Sequence, residues 1–177
     1  MSDRKPLNIL FLGHSLVEFF DWQERFPDHN VVNLGVAGET VEGLMDRIGY
    51  IAKKYPQADM IFVMTGANNI AMEDYDFMSS YERIIVRLCS SYPEAKIYVH
   101  RVLPIILEWV PGKKIEEINE LIRLLAERTG VEYLDMYRYF VDGDGNPIKG
   151  CLLDDGVHLS DTGYEVWAEV LEGMIST

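Results

Sequence analysis

Short apolar runs rich in β-branched residues alternate along this chain with longer segments of helical period. That alternation leaves few folds open, because strands joined through helices build a parallel sheet with crossover helices on its faces. Five runs read as strands, at 8–12, 31–34, 60–65, 95–103 and 131–135, each largely apolar as strands covered on both faces should be. Between them, 16–26, 40–54, 75–91 and 113–129 read as helices. In 113–129 the residues Ile115, Ile118, Leu121, Ile122 and Leu125 fall on one stripe while Glu116, Glu117, Glu120 and Arg123 face away, and Gly130 ends the segment. A last helix begins after Ser160, a good N-cap, and buries Tyr164, Trp167, Leu171 and Met174. The expected fold is a flavodoxin-like three-layer α/β sandwich around a central five-stranded parallel sheet, one domain over 1–177. A chain of 177 residues buries roughly 70% of its unfolded surface and needs no disulfide or metal to hold a core.

Composition narrows the partners. Sixteen Lys and Arg against 29 Asp and Glu give a formal charge of −13, with no local run of basic residues. Such a surface repels phosphate backbones, so nucleic acid is not expected as a partner. Cys89 and Cys151 form neither a disulfide framework nor a Cys-x-x-Cys pair, which fits a reducing compartment. The apolar run after the two early basic residues contains Asn8, stops at Gly13 and leads into Glu18 and Asp21 rather than a small-residue cleavage site. No segment approaches the roughly 20 apolar residues of a membrane span. A cytoplasmic location is expected, with the oligomeric state open.

Sites in such sheets lie beyond the carboxyl ends of the strands. There the sequence places Gly13-His14-Ser15-Leu16, then Gly35-Val36-Ala37-Gly38-Glu39-Thr40, then Gly66-Ala67-Asn68-Asn69, and finally Asp154-Asp155-Gly156-Val157-His158. A triad becomes available: Ser15 as nucleophile, His158 as its general base, and Asp155 to fix the imidazole tautomer, with Asp154 as a local rival read as a loop charge. The backbone amides of Ser15 and Gly38 and the side-chain amide of Asn68 supply three donors for an oxyanion. A side chain at position 38 would obstruct approach to the backbone N–H.

These four blocks, in this order, resemble the SGNH hydrolases, also called GDSL-type esterases and lipases, over nearly the whole chain. The resemblance implies a cofactor-independent serine hydrolase acting on small-molecule acyl esters. Two neighbours depart from the family pattern: Gly-Asp-Ser is Gly13-His14-Ser15 here, and Gly-x-Asn-Asp is Gly66-Ala67-Asn68-Asn69. Neither change removes a proposed site residue. The short connections, without an obvious lid, favour small or short-chain esters. Carbohydrate O-acetyl esters, lysophospholipids and thioesters all remain open as substrates, and the alternative function is a noncatalytic acyl- or carbohydrate-binding module on the same scaffold.

Other readings of the same rim fit less well. A receiver domain needs an acceptor Asp after the third strand, where Asn68 stands. A flavodoxin needs a hydroxyl-rich phosphate loop where Glu18 stands, and the Gly-x-Ser-x-Gly elbow of the α/β-hydrolases is missing around Ser15. His14 reads as a turn residue, and His29 and His100 lack metal-ligand spacing. The segment from Asp142 opens like a calcium loop but has Pro147 and Leu153 where Gly and Glu are required. Phe19, Phe20, Trp22 and Trp109 could line an acyl pocket, although aromatic residues are more often packed core, and they are not assigned to the site.

Overall fold

The computed structural model describes residues 5–175. Five parallel strands form one sheet: β1 (Asn8–Gly13), β2 (Asn30–Gly35), β3 (Met60–Met64), β4 (Lys96–His100) and β5 (Glu132–Leu134). Their order is β2-β1-β3-β4-β5, the flavodoxin-like arrangement. The strand period of two divides their side chains between two cores. Leu10, Leu12, Ile61 and Val63 pack on one face with α3 (Val41–Lys54), α5 (Met78–Ser91) and α6 (Gly112–Thr129). Ile9, Phe11, Met60 and Phe62 pack on the other with Trp22, Phe26 and the buried stripe of α7 (Asp161–Ile175). Phe11 stacks between Trp22 and Phe62 there, with centroids 4.3 and 5.0 Å away.

Several boundaries differ from the sequence reading, each for a tertiary reason. The expected helix at 16–26 is two pieces, α1 (Ser15–Glu18) and α2 (Trp22–Arg25). The carbonyls that would carry α1 onward are taken by side chains: the Asn33 amide donates to Val17, Glu18 and Phe20, and the Trp22 indole N–H also donates to Val17. Asp21 then caps the new start through the Glu24 N–H at 2.9 Å.

The fourth strand ends at His100 rather than 103 because buried Asn119 of α6 replaces a neighbouring strand. Its side-chain oxygen accepts from the Val102 N–H and its amide donates to the Val102 carbonyl. Asp74 accepts from the Asp76 N–H, forming a turn where the sequence suggested helix from 75, and α5 starts at Met78. Leu121, assigned to the buried stripe of 113–129, is exposed, while its neighbours Ile115, Ile118, Ile122 and Leu125 are buried.

Strand order reverses between β1 and β3, so their carboxyl ends flank a crevice. The sheet is tight there. Gly13 faces Met64 in register, and a Cβ on Gly13 would come within 2.0 Å of the Met64 carbonyl oxygen. Only glycine lets the chain turn at this point into the segment that bears Ser15.

Candidate active site

Ser15 stands at the first position of α1, immediately beyond β1, and is buried. His14 caps that short helix. Its Nδ1 accepts from the Leu16 N–H at 3.4 Å, a long bond, and the ring is 2% exposed. Burial, assisted by the nearby His158, pushes the His14 pKa down to about 4, so the ring is neutral at pH 7. It therefore fills the aspartate position of the resembled motif as a neutral cap.

His158 arrives from the opposite end of the chain in a turn organised by Asp155. One carboxylate oxygen of Asp155 accepts from the backbone N–H groups of Val157 and His158, both at 2.9 Å. The other meets His158 Nδ1 at 2.7 Å. Partial burial alone would raise the Asp155 pKa, but the two backbone donors and the imidazole outweigh it and hold the carboxyl below its ordinary value. A proton on Nδ1 satisfies the carboxylate and leaves Nε2 as an acceptor, 2.9 Å from Ser15 Oγ. Ser15, His158 and Asp155 are thus brought into one hydrogen-bonded chain, and Asp154 has no part in it.

Gly38 lies in the turn after β2 with φ +76° and nothing within 4 Å of where a Cβ would stand. The left-handed backbone, rather than crowding by protein, favours glycine, and its Cβ side is open. The turn is held from three directions. Glu18 accepts from the Ala37 N–H at 2.6 Å, and Val36 donates to the Gly13 carbonyl. Arg47 grips the nearly buried Glu39 carboxylate with two bonds of 2.5 and 2.6 Å while donating to the Leu34 carbonyl.

Asn68, in α4 (Ala67–Ala71), donates one amide hydrogen to the Glu39 carbonyl at 2.9 Å. The second hydrogen of that amide is the one available to an oxyanion. Asn69 is used differently. Fully buried, it accepts from the Val41 N–H and donates to Glu42 and Asp74, tying α4 to the start of α3.

The Glu39–Arg47 clamp, the Glu18 brace and the Asn33 amide were missed in the sequence. Only Asn33 left a signal there, as a polar residue inside an otherwise apolar strand.

The sequence profile of the GDSL-like lipase/acylhydrolase family matches residues 13–166, which contain every element just described. The chain belongs to that family. GDSL-like lipases and acylhydrolases hydrolyse esters, and this protein is an ester-hydrolysing enzyme. Among relatives, the Homo sapiens platelet-activating factor acetylhydrolase IB subunit alpha2 is 27% identical over 180 residues, covering 98% of this chain and 78% of that protein. A Streptococcus pneumonia structure described as a candidate platelet activating factor superposes with a TM-score of 0.84 at 28% identity, over 98% of this chain and 86% of that one. An acetyl xylan esterase from Geobacillus stearothermophilus shares the fold, with a TM-score of 0.73 at 18% identity over 92% of this chain and 91% of its own.

The remaining histidines and the calcium-like loop take no part in the GDSL-type rim. His100 is buried, accepts from the Trp167 indole at its Nε2 and faces the Val63 carbonyl with Nδ1, and burial lowers its pKa to about 4. His29 Nδ1 accepts from the Leu7 N–H beside β1. Asp142 accepts from the Asp144 and Asn146 backbone amides, closing a turn on itself. Among the described residues no group of three His, Cys, Asp or Glu side chains could hold a metal, and no helix is long and apolar enough to cross a membrane. Of the four aromatics left unassigned, Trp22 is fully buried and Phe20 stacks on Tyr164, but Phe19 and Trp109 are exposed.

Proposed function

We propose that the protein is a serine esterase that cleaves small, short-chain carboxylic esters through an acyl-enzyme. The observation that carries this reading is the continuous chain from Ser15 Oγ through His158 to Asp155, at 2.9 and 2.7 Å. Ser15 Oγ attacks the acyl carbonyl carbon as His158 Nε2 takes its proton, and Asp155 stabilises the resulting imidazolium. The charge on the former carbonyl oxygen is met by the Ser15 and Gly38 amides and the free hydrogen of the Asn68 amide. Collapse of this intermediate breaks the bond to the alcohol, which leaves with the proton from His158. Water then attacks the acyl-serine with His158 again as base, and release of the acid restores Ser15. The chemistry needs no cofactor or metal.

Short acyl groups are favoured by a cavity of about 10 Å³ lined by Leu16, Ala67, Val157 and Ile105 among others. Leu16, Ala67 and Val157 adjoin Ser15, Asn68 and His158 in sequence, and on that ground we assign this cavity to the acyl group. A space of that size holds about one water-sized group, which suits the methyl of an acetyl ester and excludes an extended acyl tail. The names of two relatives, an acetylhydrolase and an acetyl xylan esterase, agree with removal of acetyl groups. The reading is tested by p-nitrophenyl esters from acetyl to dodecanoyl, assayed below micelle formation. It expects kcat/KM to be highest for acetyl and to fall with chain length. A steady rise toward dodecanoyl would contradict it.

A further inference from the structure

The rim around His158 carries large apolar side chains that the fold leaves in water. Phe19 is 59% exposed, yet its ring centroid lies 5.6 Å from that of His158. Ile106 is 55% exposed and donates its N–H to the carbonyl of Gly156, two residues before His158. That approach is close: a Cβ on Gly156 would come within 2.4 Å of the Ile106 carbonyl oxygen. Leu153, 49% exposed, donates to the His158 carbonyl at 2.8 Å. Scattered exposed apolar residues are ordinary, but three segments of this chain each bring one to the same histidine turn.

The reaction proposed above, on which this inference rests, says what must lie there. His158 returns its proton to the departing alkoxide, so the alcohol portion of the ester sits against the imidazole. The acyl substituent is assigned above to the small cavity beside Leu16 and Ala67. We infer that Phe19, Ile106 and Leu153 form the subsite for the alcohol portion, and that it takes an uncharged, apolar alcohol, either aliphatic or aryl. Ile106 and Leu153 offer no side-chain partner to the hydroxyls of a sugar. Asp154 and Asp155 in the same turn, within a chain of charge −13, disfavour an anionic leaving group.

The test holds the acyl group constant as acetyl and varies the alcohol through ethanol, butanol and hexanol, with an acetylated glucose as a further arm. Melting curves confirm that Phe19→Ser and Ile106→Ser are folded. In the wild type, kcat/KM should rise about twofold to fourfold per added methylene, the range spanning partial to full burial of each group. The hexyl-to-ethyl ratio should fall at least about fivefold in Phe19→Ser, as expected when a ring that covers several methylenes is removed, and by less in Ile106→Ser. Ready turnover of acetates with a flat alcohol series, preference for the sugar acetate, or an unchanged ratio in both variants would overturn the subsite and leave the esterase standing. Failure to cleave any ester would overturn the serine-esterase reading, and this inference with it.

Discussion

Two adjacent asparagines should separate chemistry from stability. Asn68→Ala removes a donor whose partner carries full charge only in the transition state, so kcat should fall about 10²- to 10³-fold, equivalent to about 2.7–4 kcal/mol, with KM much less affected. Its structural loss is small, since the side chain makes one bond, to the Glu39 carbonyl; at a net of about 1 kcal/mol this lowers Tm by about 2–4 °C for a domain of this size. Asn69→Ala removes three bonds from a fully buried position, to the Val41 N–H, Glu42 and Asp74. At about 1 kcal/mol each the loss is about 3 kcal/mol, or about 6–12 °C in Tm. Initial rates with p-nitrophenyl acetate at 20 °C, where both variants are folded, and thermal melts followed by circular dichroism give the two readouts. Near-wild-type kcat in Asn68→Ala would remove it from the oxyanion site. A larger loss of kcat in folded Asn69→Ala would show that the wrong amide carries the role.

Asp155→Asn should reduce kcat far more than Asp154→Asn, because only Asp155 holds the His158 ring and its turn; steady-state kinetics showing the reverse order would refute the pairing. Arg47→Met should lower kcat about tenfold with little change in KM, by loosening the turn that presents Gly38 and braces Asn68, and Arg47→Lys should recover part of the loss; equal kcat in all three proteins would leave the clamp without influence on the site. Acid should destabilise the fold well above the usual carboxylate range. Burial holds His14 and His100 down to about 4 when folded, against about 6.5 for an exposed imidazole, so the unfolded chain binds more protons between those values. Stability is then full above pH 6.5 and declines toward pH 4, with a combined loss of about 3–4 kcal/mol between pH 7 and pH 5. Urea unfolding with the same free energy at both pH values would contradict it.

Much of the fold was legible because its central strands are covered on both faces: an apolar run such as Met60–Met64 has no polar side to hide its nature. What was illegible depends on side chains reaching across the fold. Nothing local in the sequence shows that Asn33 and Trp22 will take the carbonyls that end α1, or that Asn119 will stand in for a strand beside Val102. The candidate site follows the same division. Ser15, Gly38, Asn68 and the Asp155–His158 pair belong to short glycine-containing segments that announce themselves by residue type, whereas Arg47 meets Glu39 across eight residues of turn and helix and is a surface-type residue by composition. Phe19 stays ambiguous between pocket and packed core in the sequence because an aromatic beside other aromatics gives no hint of which ring the fold will leave in water.

The claim on which the rest depends is that Ser15 is an activated nucleophile. A fluorophosphonate reports this directly: the serine oxygen bonds to phosphorus and fluoride departs, which requires a base poised on that oxygen. Intact-mass analysis of the wild type should show one adduct per chain, placed on Ser15 by peptide mapping, and no adduct on Ser15→Ala, which should keep the wild-type circular dichroism spectrum and lose ester turnover. An adduct on another residue, or undiminished turnover by Ser15→Ala, would contradict the account.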